Sequence, residues 1–280
     1  MTSRTRLQHI DEIAASSLTQ VKAQCKGLYL YCVADSPEGT SLGRVGLEGA
    51  EAYTVPCQDI CAVVHRCPAE PYESRDQEVV RGWVLTHQRV VEAAWRRWGT
   101  VLPSTFDTIF QDKDDGDAER TVIEWLASEY DNLRAKIARV RGKAEYGVQV
   151  SWDPEVIGQW LTQTKHDLAT LTEEIRSKPG GAAYLYREKL KDLLRREMET
   201  EANRCSQDFY SRIREHVDDL RVDRTKKGEK GQQMILNLSC LVSKEQTSDL
   251  GRELELITNM EGFLVRFTGP WPPYSFVGGV

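Results

Sequence analysis

The sequence predicts an α+β protein of two domains, and three observations carry that prediction. Near the start, apolar runs rich in β-formers, residues 27–34 and 59–65, precede one amphipathic helix. A polar, acidic, glycine-punctuated stretch, 112–117, then interrupts the pattern. Beyond it, two helical periodicities joined by Pro179-Gly180-Gly181 lie between further strands, which reads as an antiparallel αα-hairpin. The boundaries follow: an N-terminal arm 1–24, an N-terminal α+β domain 25–111, an acidic linker 112–117 and a C-terminal α+β domain 118–280. Within the last, a coiled-coil-like hairpin spans 153–222 and a strap spans 269–280.

The totals bound the function. At 280 residues, with 40% hydrophobic and 29% charged side chains, the chain reads as soluble and globular. A formal charge of −6 opposes a nucleic-acid binder, which normally carries a basic field. No apolar run approaches the roughly 18–20 residues of a membrane span. The first residues lead into His9, Asp11 and Glu12 without an apolar signal core, so the expected location is the cytoplasm. Seven cysteines without a repeated spacing then read as reduced thiols.

Taken in order, residues 7–21 place Leu7, Ile10, Ala14, Leu18 and Val21 at helical spacing. Residues 27–34 form a buried strand, ended by the turn chemistry of 35–39. Strands near 52–55 and 59–65 precede a helix from about 75 to 98, capped by Ser74 and stopped by Gly99. Residues 100–110 read as one strand with Leu102, Phe106 and Phe110 on one face, held to an edge or bulge by Pro103. A second amphipathic helix covers 118–140 and a strand covers 145–150. Asp153 caps the next helix with Pro154 in its first turn; Ile157, Leu161, Thr164, Leu168, Leu171 and Ile175 make a heptad seam with one polar seat. The return helix spans 183–220, and a strand 234–242, a helix 243–260 and a strand 263–267 complete the domain.

The last stretch, Gly269-Pro270-Trp271-Pro272-Pro273-Tyr274-Ser275-Phe276, has three prolines in four residues, so it is expected outside the sheet as polyproline II. Spending Trp271, Tyr274 and Phe276 at a chain end implies that the end is docked. It leaves a strand of the second domain and is expected to fold back over that domain, with Trp271, Pro272, Pro273, Tyr274 and Phe276 as anchors.

Candidate chemistry is sparse. Cys57, Cys61, His65 and Cys67 combine residue types that suit zinc or thiol catalysis. Strand alternation puts Cys61, His65 and Cys67 on one face and leaves Cys57 in the preceding turn, which favours small buried thiols and an edge histidine over a metal- or thiol-dependent enzyme. His87 and Glu92 are five apart and do not share a helical face. Gly43, Gly46 and Gly49 are spaced GxxGxxG, not as a dinucleotide fingerprint. Counting from Asp112, a calcium loop fails at its sixth and twelfth positions, Asp117 and Ile123. Arg134, Lys136, Arg139, Arg141 and Lys143 form a basic cluster that the net charge argues against as a nucleic-acid surface. No cofactor, metal or catalytic residue is implied.

Several blocks together resemble the gas vesicle protein family GvpF/GvpL. Gly27-Leu28-Tyr29-Leu30-Tyr31-Cys32 is similar to its opening strand, with Cys32 where glycine is common. His87 through Glu92, followed by Val101-Leu102-Pro103 and Phe106-Asp107-Thr108-Ile109-Phe110, resembles the family's H-x-x-V-L/V-E … V-L-P-x-x-F-G-T-x-F block, with Asp107 in place of glycine. Glu145-Tyr146-Gly147-Val148-Gln149-Val150, Gly181-Ala182-Ala183-Tyr184-Leu185 and the 269–276 ending match further family stretches. The resemblance spans about 27 to 277. It implies a ferredoxin-like N-terminal domain, a C-terminal domain with a helical hairpin, and a non-catalytic role in gas vesicle formation, bound to the shell protein GvpA and to other accessory proteins. The expected shell-protein surface lies within the N-terminal sheet, 27–110, with the hairpin as a second arm.

Overall fold

The computed structural model describes residues 26–111, 118–177, 179–226, 228 and 231–278. The arm 1–24 and the acidic stretch 112–117 lie outside the described residues. The chain divides into two compact units, Met1–Gly142 with Trp271–Val280, and Lys143–Pro270.

The first unit is built on β1 (Gly27–Ala34), β2 (Ser41–Gly43), β3 (Ala52–Cys57), β4 (Ile60–Cys67), β5 (Val101–Pro103) and β6 (Ile109–Gln111), in the order β2-β3-β4-β1-β5 with β6 also on β1. β1 pairs antiparallel with β4, Gly27 opposite Cys67 and Ala34 opposite Cys61. Every residue of β1 is buried. A strand apolar on both faces needs cover on both faces. One face of the sheet receives α1 (Gln77–Trp98), which buries His87, Val90, Val91 and Ala94. The strands also contact α2 (Ala118–Ser128) and α3 (Tyr130–Val140), which bury Val122, Leu126, Leu133, Ile137 and Val140.

This corrects two expectations. Residues 118–140 form two helices broken at Glu129, and they belong to the first unit; the division falls at Gly142, not at 112–117. The reason is the second apolar face of β1, which a single helix cannot cover. The segment 100–110 likewise forms two short strands on β1, separated by a turn in which Asp107 has φ 69°. The cap of α1 is Asp76, whose carboxylate accepts from the Glu78 N–H (2.9 Å), while Ser74 accepts from the Asp76 N–H (3.1 Å). Gly99 closes the helix in the left-handed region, as its sequence position suggests.

The second unit has β7 (Lys143–Trp152), β8 (Asp219–Val222), β9 (Gln233–Ser243) and β10 (Phe263–Trp271) in the order β10-β7-β9-β8. Tyr146, Val148, Val150 and Trp152 of β7 alternate with half-buried neighbours and face a core shared with α4 (Pro154–Thr164), α5 (His166–Ser177), α6 (Gly180–Arg214) and α7 (Thr247–Thr258). Asp153 caps α4, accepting from the Glu155 and Val156 N–H groups. The expected continuous seam is interrupted at its polar seat. Thr164 is exposed, its hydroxyl donates back to the Trp160 carbonyl (2.8 Å), and Lys165 is extended, so α4 and α5 are separate helices. The return helix α6 ends at Arg214 and not at 220, because Leu220 pairs opposite Cys240 in the edge strand β8.

The C-terminal stretch departs most from expectation. Gly269 and Pro270 lie inside β10, which tolerates a proline because it is an edge strand. Gly269 has φ 120°, and a Cβ there would meet the Glu145 carbonyl at 2.8 Å, so only glycine fits. From Trp271 onward the chain clusters with the first unit, not the second. Tyr274 packs against the core under α1, and Pro272, Pro273, Phe276 and Val277 are buried. Trp271 is 46% exposed and is not an anchor. Phe276→Ala should therefore cost about 3–5 kcal/mol in urea denaturation, and Trp271→Ala about 1 kcal/mol or less. Equal losses would refute the assignment of Phe276 as the anchor.

Candidate functional site

Strand geometry decides the cysteine–histidine set. Cys57 ends β3, and Cys61, His65 and Cys67 lie along β4. At about 3.3 Å per residue, Cys61 and His65 stand roughly 13 Å apart, whereas zinc ligands converge within about 2.0–2.3 Å of the metal. Among the described residues no group of three His, Cys, Asp or Glu side chains is arranged to hold a metal ion. Burial pushes the Cys61 thiol up to about 12 and raises Cys32 well above the usual thiol range. A thiol held protonated is a poor nucleophile. Cys57 alone of the six described cysteines is not buried.

His65 and His87 belong instead to a polar-aromatic cluster between the sheet and α1, centred on Tyr29. The His65 ring stacks on Tyr29 (5.1 Å between centroids), and Tyr72, His87 and Phe106 meet the same ring edge-on. The Tyr29 hydroxyl accepts from the Asp107 N–H (3.1 Å) and shares a 2.9 Å hydrogen bond with His87 Nδ1. His65 Nε2 bonds the Tyr72 hydroxyl (3.0 Å), and the Tyr72 N–H donates to Asp107 Oδ1 (3.0 Å). Asp107 thus serves the cluster with both its backbone and its carboxylate, in a left-handed turn that glycine or a short polar residue adopts most easily. Tyr31 points its hydroxyl at the Leu47 N–H (2.8 Å), which pins the glycine-paced loop onto the sheet. That loop is a packing element: a Cβ at Gly46 would meet the Ala50 carbonyl at 2.8 Å.

The sequence marked His65 and His87 but not their hubs, Tyr29 and Asp107. The signal was present only as two tyrosines, Tyr29 and Tyr31, in a buried strand and an aspartate at a glycine-like turn. Glu92 bonds Arg96 (3.2 Å) and has no part in the cluster, so His87 and Glu92 form no acid–base pair.

The basic segment is largely neutralised by its own neighbours. Arg134 pairs with Asp35 (2.7 Å) and Asp59 (3.3 Å), Arg141 with Asp35 (2.6 Å), and Lys143 with Asp218 (3.1 Å). Among the described residues no helix is long and apolar enough to cross a membrane.

A family model described as gas vesicle synthesis protein GvpL/GvpF matches residues 27–278. The chain belongs to the GvpL/GvpF family. Gas vesicle protein L1 of Halobacterium salinarum is 33% identical over 262 residues, covering 89% of this chain and 90% of that protein. Gas vesicle protein L of Haloferax mediterranei is 27% identical over 241 residues, covering 82% and 72%. The crystal structure of GvpF from Anabaena sp. PCC7120 superposes with a TM-score of 0.71 at 21% identity, covering 90% of this chain and 98% of that one. GvpF from Microcystis aeruginosa gives 0.62 at 17% identity, covering 90% and 99%. The mixed α+β fold is therefore that of the solved GvpF structures, and the GvpL/GvpF chain described here has a role in gas vesicle formation.

Two outcomes test the cluster. Burial lowers both histidines to about 4. For His87 the nearby Ser104 backbone opposes part of that shift. The unfolded chain binds these protons below about 6.5, the native chain only near 4, so the native state binds fewer protons in between. Stability is then full above pH 7 and falls as pH drops from about 6.5 towards 4, by on the order of 2–3 kcal/mol per histidine. Urea midpoints that stay level from pH 7 to pH 5 would contradict this. Iodoacetamide at pH 7.5 should label Cys57 ahead of Cys32, Cys61, Cys67, Cys205 and Cys240, as read by peptide mass mapping. Early labelling of Cys61 in folded protein would restore a reactive-thiol reading.

Proposed function

We propose that this GvpL/GvpF chain is a non-catalytic assembly factor that holds the shell protein GvpA, together with other accessory proteins, in the cytoplasm while gas vesicles form. The observation that carries the reading is the family match over 27–278. The non-catalytic part is supported by the geometry of the chemistry-bearing residues: Cys61 and Cys67 are spread along one strand, and His65 and His87 are spent on tyrosine hydroxyls. A shell subunit with apolar faces aggregates unless those faces are covered before assembly, and a soluble partner with exposed apolar side chains can cover them.

The surface expected within 27–110 needs restating. β1 and β4, at the centre of the first sheet, are buried almost throughout, so the sheet interior offers no docking face. Its outer strands β2 and β5 are three residues each, and Pro56 in β3 lacks a donor, so strand addition along these edges is poorly supported. The large apolar side chains that remain exposed between 27 and 110 are Val45, Val79 and Leu85, two of them on α1. We assign the shell-protein contact to the exposed surface of α1 that carries Val79 and Leu85, which stand about 120° apart around the helix.

Full-length chain co-expressed with GvpA should retain it in a pull-down, and Val79→Glu with Leu85→Glu should weaken retention about tenfold with the fold intact by circular dichroism. Retention unchanged in the double variant removes the α1 surface. A gene deletion that leaves normal buoyant vesicles removes the assembly role itself.

A further inference from the structure

Two grooves run along either side of α4 in the second unit. The first, about 430 Å³, has Trp160, Met260 and Phe263 as apolar walls and Glu201, Arg204 and Glu261 as its charged groups. The second, about 740 Å³, is lined by Gly158, Ala169 and Leu194, with Glu155, Glu173 and Arg176 as its charged groups. Gln159 and Gln163 border both. The apolar lining is partly open to water: Trp160 is 45% exposed and Met260 36%.

The charges do not balance. Four carboxylates face two guanidinium groups, and both cations are committed within their own helices. Arg204 donates to Glu201 through Nε (3.0 Å) and Nη2 (2.6 Å), and Arg176 donates to Glu173 (2.9 Å). The hydrogen bonds from Arg204 hold the nearly buried Glu201 carboxyl below its usual range, so that charge persists. Glu155 and Glu261 have no ion-pair partner among the described residues. The pair of grooves therefore presents apolar walls with unanswered negative charge at two separated points.

That combination selects one chemistry. An indole face attracts a cation above it, and a free carboxylate beside it adds a direct ion pair. Lysine and arginine carry such a cation on an aliphatic stem that packs along an apolar wall. An amphipathic helix with basic residues flanking its apolar stripe offers both at once, in the helix-in-groove mode. An acidic helix would meet Glu155 and Glu261 as like charges.

We propose that the paired grooves beside α4 dock an amphipathic helix of a partner protein that carries lysine or arginine beside its apolar stripe. This site lies in the second unit and does not rest on the shell-protein contact assigned to α1.

The test uses the full chain and a fluorescein-labelled Leu/Lys amphipathic peptide of about 14 residues, long enough to fold as a helix when docked. A matching Leu/Glu peptide is the control. Fluorescence anisotropy at about 150 mM salt, where long-range attraction is screened, should show the Leu/Lys peptide binding at least about tenfold more tightly than the control. Trp160→Ala and Glu261→Lys should each weaken it about tenfold with the melting temperature unchanged, because both side chains are at the surface. Val79→Glu should leave binding as it was. Equal binding of both peptides, or indifference to Trp160→Ala and Glu261→Lys, overturns the proposal. So does binding that appears only when residues 1–24 are removed, which would give the grooves to the chain's own arm. Self-association abolished by Trp160→Ala would give them to a second copy.

Discussion

The two-sided burial of β1 is the constraint on which the first unit depends. Gly27–Ala34 is apolar or aromatic along its whole length, and none of it reaches solvent. Such a strand is stable only at the centre of a sheet with cover above and below. Hence β4 and the pair β5 and β6 flank it, and α1 joins α2 and α3 as cover. The same requirement moves the domain boundary to Gly142, and the C-terminal segment joins that unit with Pro272, Pro273, Phe276 and Val277 buried.

Between β1 and α1 the core is not purely apolar. Tyr29 pairs with His87 and with the Asp107 N–H, and Tyr72 pairs with His65 and, through its own N–H, with the Asp107 carboxylate. The second ring nitrogens, His65 Nδ1 and His87 Nε2, are buried without a hydrogen-bond partner among the described residues. The bonds that are made fix one arrangement of the elements that contribute to them, and the two unpaired ring nitrogens oppose part of that gain. Here those elements are β1, β4, α1, the segment before α1 and the turn after β5. Residues that look catalytic as a list are, in place, the polar joint of a packed layer.

The second unit is simpler in its logic. β7 alternates buried and half-buried residues, so helices pack on one face, and α4 to α7 provide that layer. One groove beside α4 is closed by α5 and Leu194 of α6, the other by Glu201 to Cys205 of α6 and the start of β10. Their chemistry comes from residues separated by up to about a hundred positions in sequence, from Glu155 to Phe263.

Local order was legible in the sequence alone. Strand β1, the helix ending at Gly99, the Asp153-Pro154 start of α4, the αα-hairpin turn and the family membership all rest on spacing, caps and motifs within short windows. Those signals are set by neighbours in the chain, so a linear reading reaches them. Tertiary structure alone decided where α2 and α3 pack, that Thr164 ends a helix, that Asp219–Val222 is an edge strand, and that the segment after Trp271 serves the first unit. It also decided that Cys61 and His65 never meet a common ligand and that His65 and His87 share Tyr29. Each of these depends on which apolar face finds cover and which polar group finds a partner, and both partners lie far away in the sequence.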